Sequence, residues 1–107
     1  MARIVTWHPV CRRSDLPANR GWPVTVDGRR LVIFGEGSDV YAVDNACRHL
    51  GAPLDDGFVE NGCLTCPWHG WMYDLRTGDH VTFMTRRPGL QTYKVLVEGD
   101  QIVVDVD

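Results

Sequence analysis

The chain has 107 residues, and its 11 basic and 14 acidic side chains give a formal charge of −3. This length fits one domain with a modest hydrophobic core, since domains cluster at roughly 100–150 residues. The mild acidity argues against nucleic acid as a partner, because phosphate binding needs a concentrated basic face. The longest apolar candidate, Leu31–Phe34, has four residues, whereas a membrane helix needs about 20.

The four cysteines are too few for a disulfide scaffold. Residues 1–10 lack the apolar run of about 7–15 residues that marks a signal peptide. We therefore expect a cytoplasmic protein without a membrane partner. In that reducing setting thiols more often bind metal or do chemistry than form disulfides.

Short strands separated by glycine-containing turns are predicted on both sides of the chain's middle. The first, Arg3–Trp7, should end at His8-Pro9, because proline lacks the amide that a β-ladder needs. Asp27-Gly28 is a strong signal for a two-residue hairpin. Such runs predict an all-β fold, an antiparallel β-sandwich or partly open barrel. The further predicted strands are Val24–Val26, Arg30–Phe34, Val40–Val43, Tyr93–Val97 and Ile102–Val106.

The middle of the chain has shorter predicted strands, denser turns and three of the four cysteines. We interpret it as a small β lobe inserted into a β base. The prediction is one domain, residues 1–107, with a base subdomain of residues 1–44 and 79–107 and an inserted subdomain of residues 45–78.

Two segments in this lobe carry the chemistry. In each, a Cys is followed closely by a His and then by a Gly within two residues. Structural zinc sites usually pair Cys with Cys and His with His, whereas each segment here mixes the two. The mixture favours a dinuclear centre, with two thiolates on one iron and two imidazoles on the other. The segments are Cys47-Arg48-His49-Leu50-Gly51 and Cys66-Pro67-Trp68-His69-Gly70-Trp71.

This pattern, C-x-H and then C-x₂-H after sixteen residues, resembles the Rieske 2Fe–2S motif. It is most similar to soluble Rieske ferredoxins and to the N-terminal domains of ring-hydroxylating oxygenases. The flanks Ala52-Pro53-Leu54 and Tyr73–Gly78 are typical of that family, and the resemblance extends over about Val40 to Asp107. It implies that the inserted subdomain binds one 2Fe–2S cluster through four ligands: Cys47, His49, Cys66 and His69.

The resemblance also implies a low reduction potential. High-potential relatives carry an extra Cys in each loop, joined as a disulfide, where this chain has Ala52 and Trp68. They place a Ser, whose hydroxyl bonds a sulfide, where this chain has Trp71. Tyr73 matches the family's tyrosine that bonds a cysteine sulfur. With fewer donors the added electron is less stable, so we expect the low end of the family's range of roughly −150 to +300 mV.

The residues around the four ligands have two expected roles. Gly51 and Gly70 allow positive φ, so that the loop backbones can approach the cluster closely. Apolar neighbours form a small docking patch around the histidine edges, as suits a brief redox encounter. The predicted patch contains Leu50, Pro67, Trp68 and Trp71.

The function implied by the resemblance is one-electron transfer from a flavin-type reductase to a terminal oxygenase of the dioxygenase type. We expect a monomer with no catalytic residue of its own. A ring-hydroxylating oxygenase needs a further domain with a 2-His-1-carboxylate iron site, for which this length leaves no room. Two alternatives stay open: a small Rieske subunit of a nitrite-reductase-type complex, and a domain in which zinc or a redox-silent cluster only stabilises the fold.

The remaining candidates are interpreted as ordinary residues. Cys63 and Cys66 form Cys-x-x-Cys, which indicates thiol–disulfide exchange when a helix begins at the motif. Here Asn61–Thr65 predicts a turn followed by a strand. Cys63 and Cys11 are predicted to fill apolar space, and His8 and His80 are given no ligand role.

Overall fold

The computed structural model describes residues 5–48, 51–68, 70–82 and 89–106. Within these ranges the regular structure is almost entirely β, and no helix is long and apolar enough to cross a membrane. The all-β prediction is therefore confirmed. The strands are β1 (His8–Arg12), β2 (Gly21–Val26), β3 (Arg29–Glu36), β4 (Asp39–Asp44), β5 (Phe58–Glu60), β6 (Cys63–Thr65), β7 (Met72–Asp74), β8 (Thr92–Glu98) and β9 (Gln101–Asp105), with a 3₁₀ turn at Arg13–Asp15.

Six strands form the base sheet, in the order β1-β9-β8-β4-β3-β2, and every neighbouring pair is antiparallel. The first and last strands of this order, β1 and β2, also lie beside each other. The sheet therefore curls into an almost closed barrel, which confirms the expected barrel base and leaves little exposed edge.

The continuous apolar run in β3 serves two cores. Successive side chains of a strand point to opposite faces. Leu31 and Ile33 pack into the interior of the base sheet, while Val32 and Phe34 pack beneath the small lobe. All four side chains are fully buried, because β3 is covered on both faces.

The hairpin predicted at Asp27-Gly28 is confirmed. Both residues have positive φ, 49° and 79°, which matches the turn that two-residue hairpins favour. The turn sets the register of β2 against β3, with Val26 opposite Arg29.

The first predicted strand was wrong in its position. Residues 5–7 form no strand, residues 3–4 lie outside the described part of the chain, and β1 begins at His8 and includes Pro9. Edge strands tolerate proline because only one side of their backbone needs ladder partners. β1 stands at one end of the sheet order, and its register with β9 shifts between Pro9 and Cys11.

A second sheet of three short strands, β5-β6-β7, covers one face of the base. Val59, Leu64 and Tyr73 stand opposite one another in register and are fully buried. This sheet extends past residue 78, because His80 forms a bridge with Tyr73. The division into subdomains at residues 44/45 and 78/79 stays a prediction.

Two polar contacts fasten the small sheet to the base. The Glu36 carboxylate on β3 accepts the amide hydrogens of Asn61 and Gly62, each at 2.6 Å, in the turn between β5 and β6. The Gly21 amide at the start of β2 donates to the carbonyl of Asp55 at 3.0 Å. The lobe is thus held at the turn of its first hairpin and at the loop that precedes β5.

Candidate metal centre

The first Cys-His loop is closed by two backbone hydrogen bonds. The Cys47 amide donates to the Ala52 carbonyl at 2.8 Å, and the Gly51 amide donates back to the Cys47 carbonyl at 2.7 Å. Gly51 has a φ of 74°, a conformation that side chains rarely adopt. The tight return of this chain segment therefore requires glycine, as expected.

The second loop repeats this closure. The Cys66 amide donates to the Trp71 carbonyl at 2.7 Å, and the Gly70 amide donates to the Cys66 carbonyl at 3.1 Å. Gly70 has a φ of 71°. Both loops therefore present a Cys at the same position of the same backbone frame, although the two Cys–His spacings differ by one residue.

The two loop cysteines come together around one hydroxyl group. Cys47 and Cys66 are 2% and 1% exposed, and neither forms a disulfide. The Cys47 sulfur lies 3.2 Å from the Tyr73 oxygen, and both cysteines pack in the same buried cluster as Tyr73. Two buried cysteines outside any disulfide are the donor set that one iron of a mixed Cys/His cluster requires, so the residues present fit such a group.

Tyr73 is built to donate to sulfur. Its oxygen accepts the amide hydrogen of Arg48 at 3.0 Å. Once Cys47 is a thiolate it has no hydrogen to donate, so the Tyr73 hydroxyl is the donor in this pair. Burial, and then the hydrogen bond with Cys47, raise the pKa of Tyr73 above its ordinary value. The hydroxyl is therefore protonated at neutral pH and remains a donor.

Three predicted site residues, His49, Leu50 and His69, lie outside the described residues. Chain connectivity keeps each histidine on the same loop as its cysteine. The structure thus brings together the cysteine half of the predicted ligand set and its tyrosine donor, and the histidine half stays a prediction.

The predicted docking patch divides between exposed and packed side chains. Pro67 is exposed, and Trp68 keeps 63% of its surface accessible. Trp71 is half-buried against the core of the lobe, and its ring meets that of His80 edge-on with 4.3 Å between centroids. Of these three side chains, Pro67 and Trp68 are the more available to a partner.

His80 has a place in the site that the sequence analysis did not give it. Its ring packs edge-on against Trp71 and against Tyr73, whose centroid is 5.3 Å away. His80 follows the tight turn at residues 75–77 and bridges back to β7. The available signal was Gly78, two residues before His80, because glycine favours a chain reversal that returns the following residues to the strand before the turn.

Asn45 was missed as well. It lies two residues before Cys47, is only 6% exposed, and its side-chain oxygen accepts the amide hydrogens of Leu54 and Asp55. An asparagine directly after a strand more often marks a turn, so the sequence did not distinguish it.

The thiol–disulfide interpretation of Cys63 and Cys66 finds no support in the geometry. Cys63 lies in strand β6 rather than at the start of a helix. Burial, and then the charge of Asp74, raise the pKa of Cys63, whereas a redox-active thiol needs a lowered one.

Comparison with known proteins agrees with this geometry. Residues 6–94 match the family described as "Rieske [2Fe-2S] domain". The ferredoxin component of the naphthalene 1,2-dioxygenase system of Pseudomonas aeruginosa is 30% identical, over 94% of this chain and 95% of its own. Among solved structures, the ferredoxin of carbazole 1,9a-dioxygenase from Nocardioides aromaticivorans IC177 matches with a TM-score of 0.83 and 31% identity, over 92% of this chain and 96% of that one.

A nitrite reductase relative is similar in fold. The putative NADH-dependent nitrite reductase small subunit from Mycobacterium tuberculosis matches with a TM-score of 0.87, over 96% of each chain. Its sequence identity is 23%, so this likeness concerns the fold alone. The alternative of a fixed reductase subunit gains less support than that of a dioxygenase-type ferredoxin.

Proposed function

Because this chain belongs to the Rieske 2Fe–2S family, we propose that it receives electrons from a flavin-type reductase and delivers them to the terminal oxygenase of a dioxygenase system. The protein is an electron carrier with a Rieske-type 2Fe–2S cluster. The relatives named as ferredoxin components of dioxygenase systems support the choice of partners.

The proposed ligands follow from the two matched loops. Cys47 and Cys66 occupy the same position of identical backbone closures and converge on Tyr73. This shared position is the observation that carries the proposal, because one iron of such a cluster is held by two thiolates. Each loop adds one histidine for the other iron, so the ligand set is Cys47, His49, Cys66 and His69.

The bound cluster supplies one-electron chemistry, and the chain sets how readily it accepts the electron. Tyr73 donates to the Cys47 sulfur. Trp71 packs toward the core and His80, and its indole replaces the hydroxyl donor that high-potential relatives have there. Because Ala52 and Trp68 stand where those relatives carry a disulfide, and Trp71 where they carry a serine, we place the potential at the low end of the family's range.

We propose that the partners dock at the loop ends and that the free carrier is monomeric. The exposed Pro67 and Trp68 lie directly beside His69 in the chain, and a short-lived redox contact needs only a small apolar patch. None of the four cysteines forms a disulfide, which fits the reducing cytoplasm, where we place the protein.

Electron delivery to a soluble acceptor tests the function. The holoprotein, mixed with NADH, a flavin-type ferredoxin reductase and cytochrome c, should transmit electrons from the reductase to the cytochrome in proportion to its concentration. His69→Ala should abolish this rate with loss of the cluster, since metal binding there contributes folding free energy. His8→Ala is the matched control, because His8 lies near Asp27 in the base and should leave the rate unchanged.

Two results would contradict the proposal. One is a cytochrome reduction rate that does not depend on the holoprotein although its cluster is intact. The other is stable co-purification of the chain with a large enzyme, which would indicate a fixed subunit. Sedimentation of the purified holoprotein as a monomer is the expected result.

A further inference from the structure

The two ligand loops are supported differently at their bases. The second loop joins β6 to β7, and the pairs Thr65–Met72 and Leu64–Tyr73 continue the register that the Cys66–Trp71 hydrogen bond begins. The first loop has no such support. Residues 51–57, all of them described, form no strand.

The Asn45 side chain supplies the missing support. Its Oδ1 accepts the amide hydrogen of Leu54 at 2.6 Å and that of Asp55 at 3.1 Å, and its Nδ2 donates to the Asp55 carboxylate at 3.2 Å. The backbone amide of Asn45 donates to the Arg30 carbonyl at 3.0 Å. One residue thus connects the base sheet to the returning limb of the first loop.

The position of this contact is the next rung of an antiparallel ladder. Hydrogen-bonded pairs alternate along an antiparallel ladder, so in the second loop the next such pair beyond Cys66 and Trp71 is Leu64 with Tyr73. In the first loop, the equivalent rung outside Cys47–Ala52 joins Asn45 to Leu54. There a side-chain carbonyl takes the place that a backbone carbonyl would have in a strand pair.

We propose that Asn45 is a positioning residue for the first ligand loop, holding Cys47 and its neighbouring ligand in the geometry that the cluster needs. The inference rests on the proposed ligand set. Asn45 lies beneath the loop and touches no ligand in its described contacts. Its effect on the cluster is exerted through the returning limb, where Leu54 is fully buried and its amide has no access to water to replace the lost acceptor.

The contact with Asp55 provides a sharp test by exchange of the two side chains. Asn45→Asp keeps an oxygen for the Leu54 amide but sets a second carboxylate against that of Asp55. The double variant Asn45→Asp/Asp55→Asn restores one amide and one carboxylate, with the donor on the opposite side. A positioning role therefore predicts damage in the single variant and recovery in the double one.

Glu36→Ala is the matched control. Glu36 also accepts two backbone amides, those of Asn61 and Gly62, but at the turn before β6, whereas Cys66 directly follows that strand. The Glu36→Ala substitution should lower the melting temperature without altering the environment of the cluster.

The experiment compares holoproteins by three measurements: melting temperature, the rate at which a chelator bleaches the visible absorption, and the g values of the reduced cluster. Asn45→Ala should bleach about tenfold faster than the wild type, as expected for loss of a buried hydrogen bond, and its g values should shift. The bleaching rate and g values of Asn45→Asp should change in the same direction, and those of the double variant should return toward the wild-type values.

Wild-type g values in Asn45→Ala, with bleaching no faster than in Glu36→Ala, would reduce Asn45 to a stabilising residue and overturn the proposal. If Asn45→Ala does not fold, Asn45→Asp is compared with the double variant instead. A double variant whose g values and bleaching rate do not return toward the wild type would overturn the proposal. A wild-type protein without iron and sulfide would instead contradict the ligand set.

Discussion

The Tyr73 hydroxyl oxygen lies 3.2 Å from the Cys47 sulfur and accepts the Arg48 amide hydrogen at 3.0 Å. Tyr73 belongs to the small sheet, whereas Cys47 and Arg48 belong to the loop that follows the base strand β4. One side chain therefore joins the two halves of the site and lies against the sulfur of a proposed ligand.

Tyr73→Phe should lower the reduction potential by about 40 mV. The hydroxyl stabilises the additional negative charge of the reduced state, a hydrogen bond contributes about 1 kcal/mol, and one electron corresponds to about 59 mV per tenfold change. Potentiometric titration of the holoprotein measures the shift. Tyr93→Phe is the control, because it removes a hydroxyl bonded to Asp44 in the base. An unchanged potential at full cluster content would mean that the hydroxyl does not donate to sulfur.

Trp71→Ser should raise the potential, because a hydroxyl at this position can donate to a cluster sulfide. Trp71→Phe separates this effect from the loss of packing against His80, since phenylalanine keeps a ring and adds no donor. Titration of both variants should place the serine variant above the phenylalanine variant. Equal potentials would show that the second loop holds this side chain away from the cluster.

The sequence predicted most of the fold because its signals were local. The Asp27-Gly28 turn and the predicted strands on either side of it determine a hairpin without reference to the rest of the chain. The prediction that a strand ends at Pro9 was wrong because the effect of this residue is not local. Whether a proline ends a strand depends on which strands flank it, and only the assembled sheet shows that β1 is an edge.

The residues of the site fall into the same two groups, those with a local sequence signal and those whose role depends on the assembled fold. Cys47 and Cys66 were predicted because they belong to one spaced motif, and Tyr73 because it matches a tyrosine of the family that the motif resembles. His80 was missed because its packing depends on a bridge back to β7. Asn45 was missed because its role depends on which amides lack a strand partner, a property that arises only once the loop has closed.

Gly21→Ala should destabilise the protein by about 1–3 kcal/mol, as overpacking does. A Cβ there would lie 2.3 Å from Val32 Cγ2 and 2.9 Å from the Asp55 Cα, where the lobe meets the base. Urea unfolding of the holoprotein measures the change. Gly35→Ala is the control, because its Cβ would meet only the flexible end of Leu16 at 2.9 Å. Equal losses in the two variants would contradict the tight contact at Gly21.

Cys11 should make stability fall at alkaline pH. Burial, and then the charge of Asp15, raise the pKa of Cys11 from its ordinary 9.0 to about 11. The unfolded chain loses this proton first, so the contribution is complete below about pH 9 and is lost as the pH rises toward 11. The unfolding free energy of the wild type relative to Cys11→Ala should decline over this range. A constant difference would mean that the folded thiol titrates normally.

The most direct measurement of the central claim is the hyperfine spectrum of the reduced protein labelled with ¹⁵N in its histidines. The account predicts couplings from two histidine nitrogens, and from one in a His69→Cys variant, which should also have a lower potential because a thiolate adds negative charge. Reduced protein without nitrogen coupling, or His69→Cys protein that retains both couplings, would contradict the proposed ligand set.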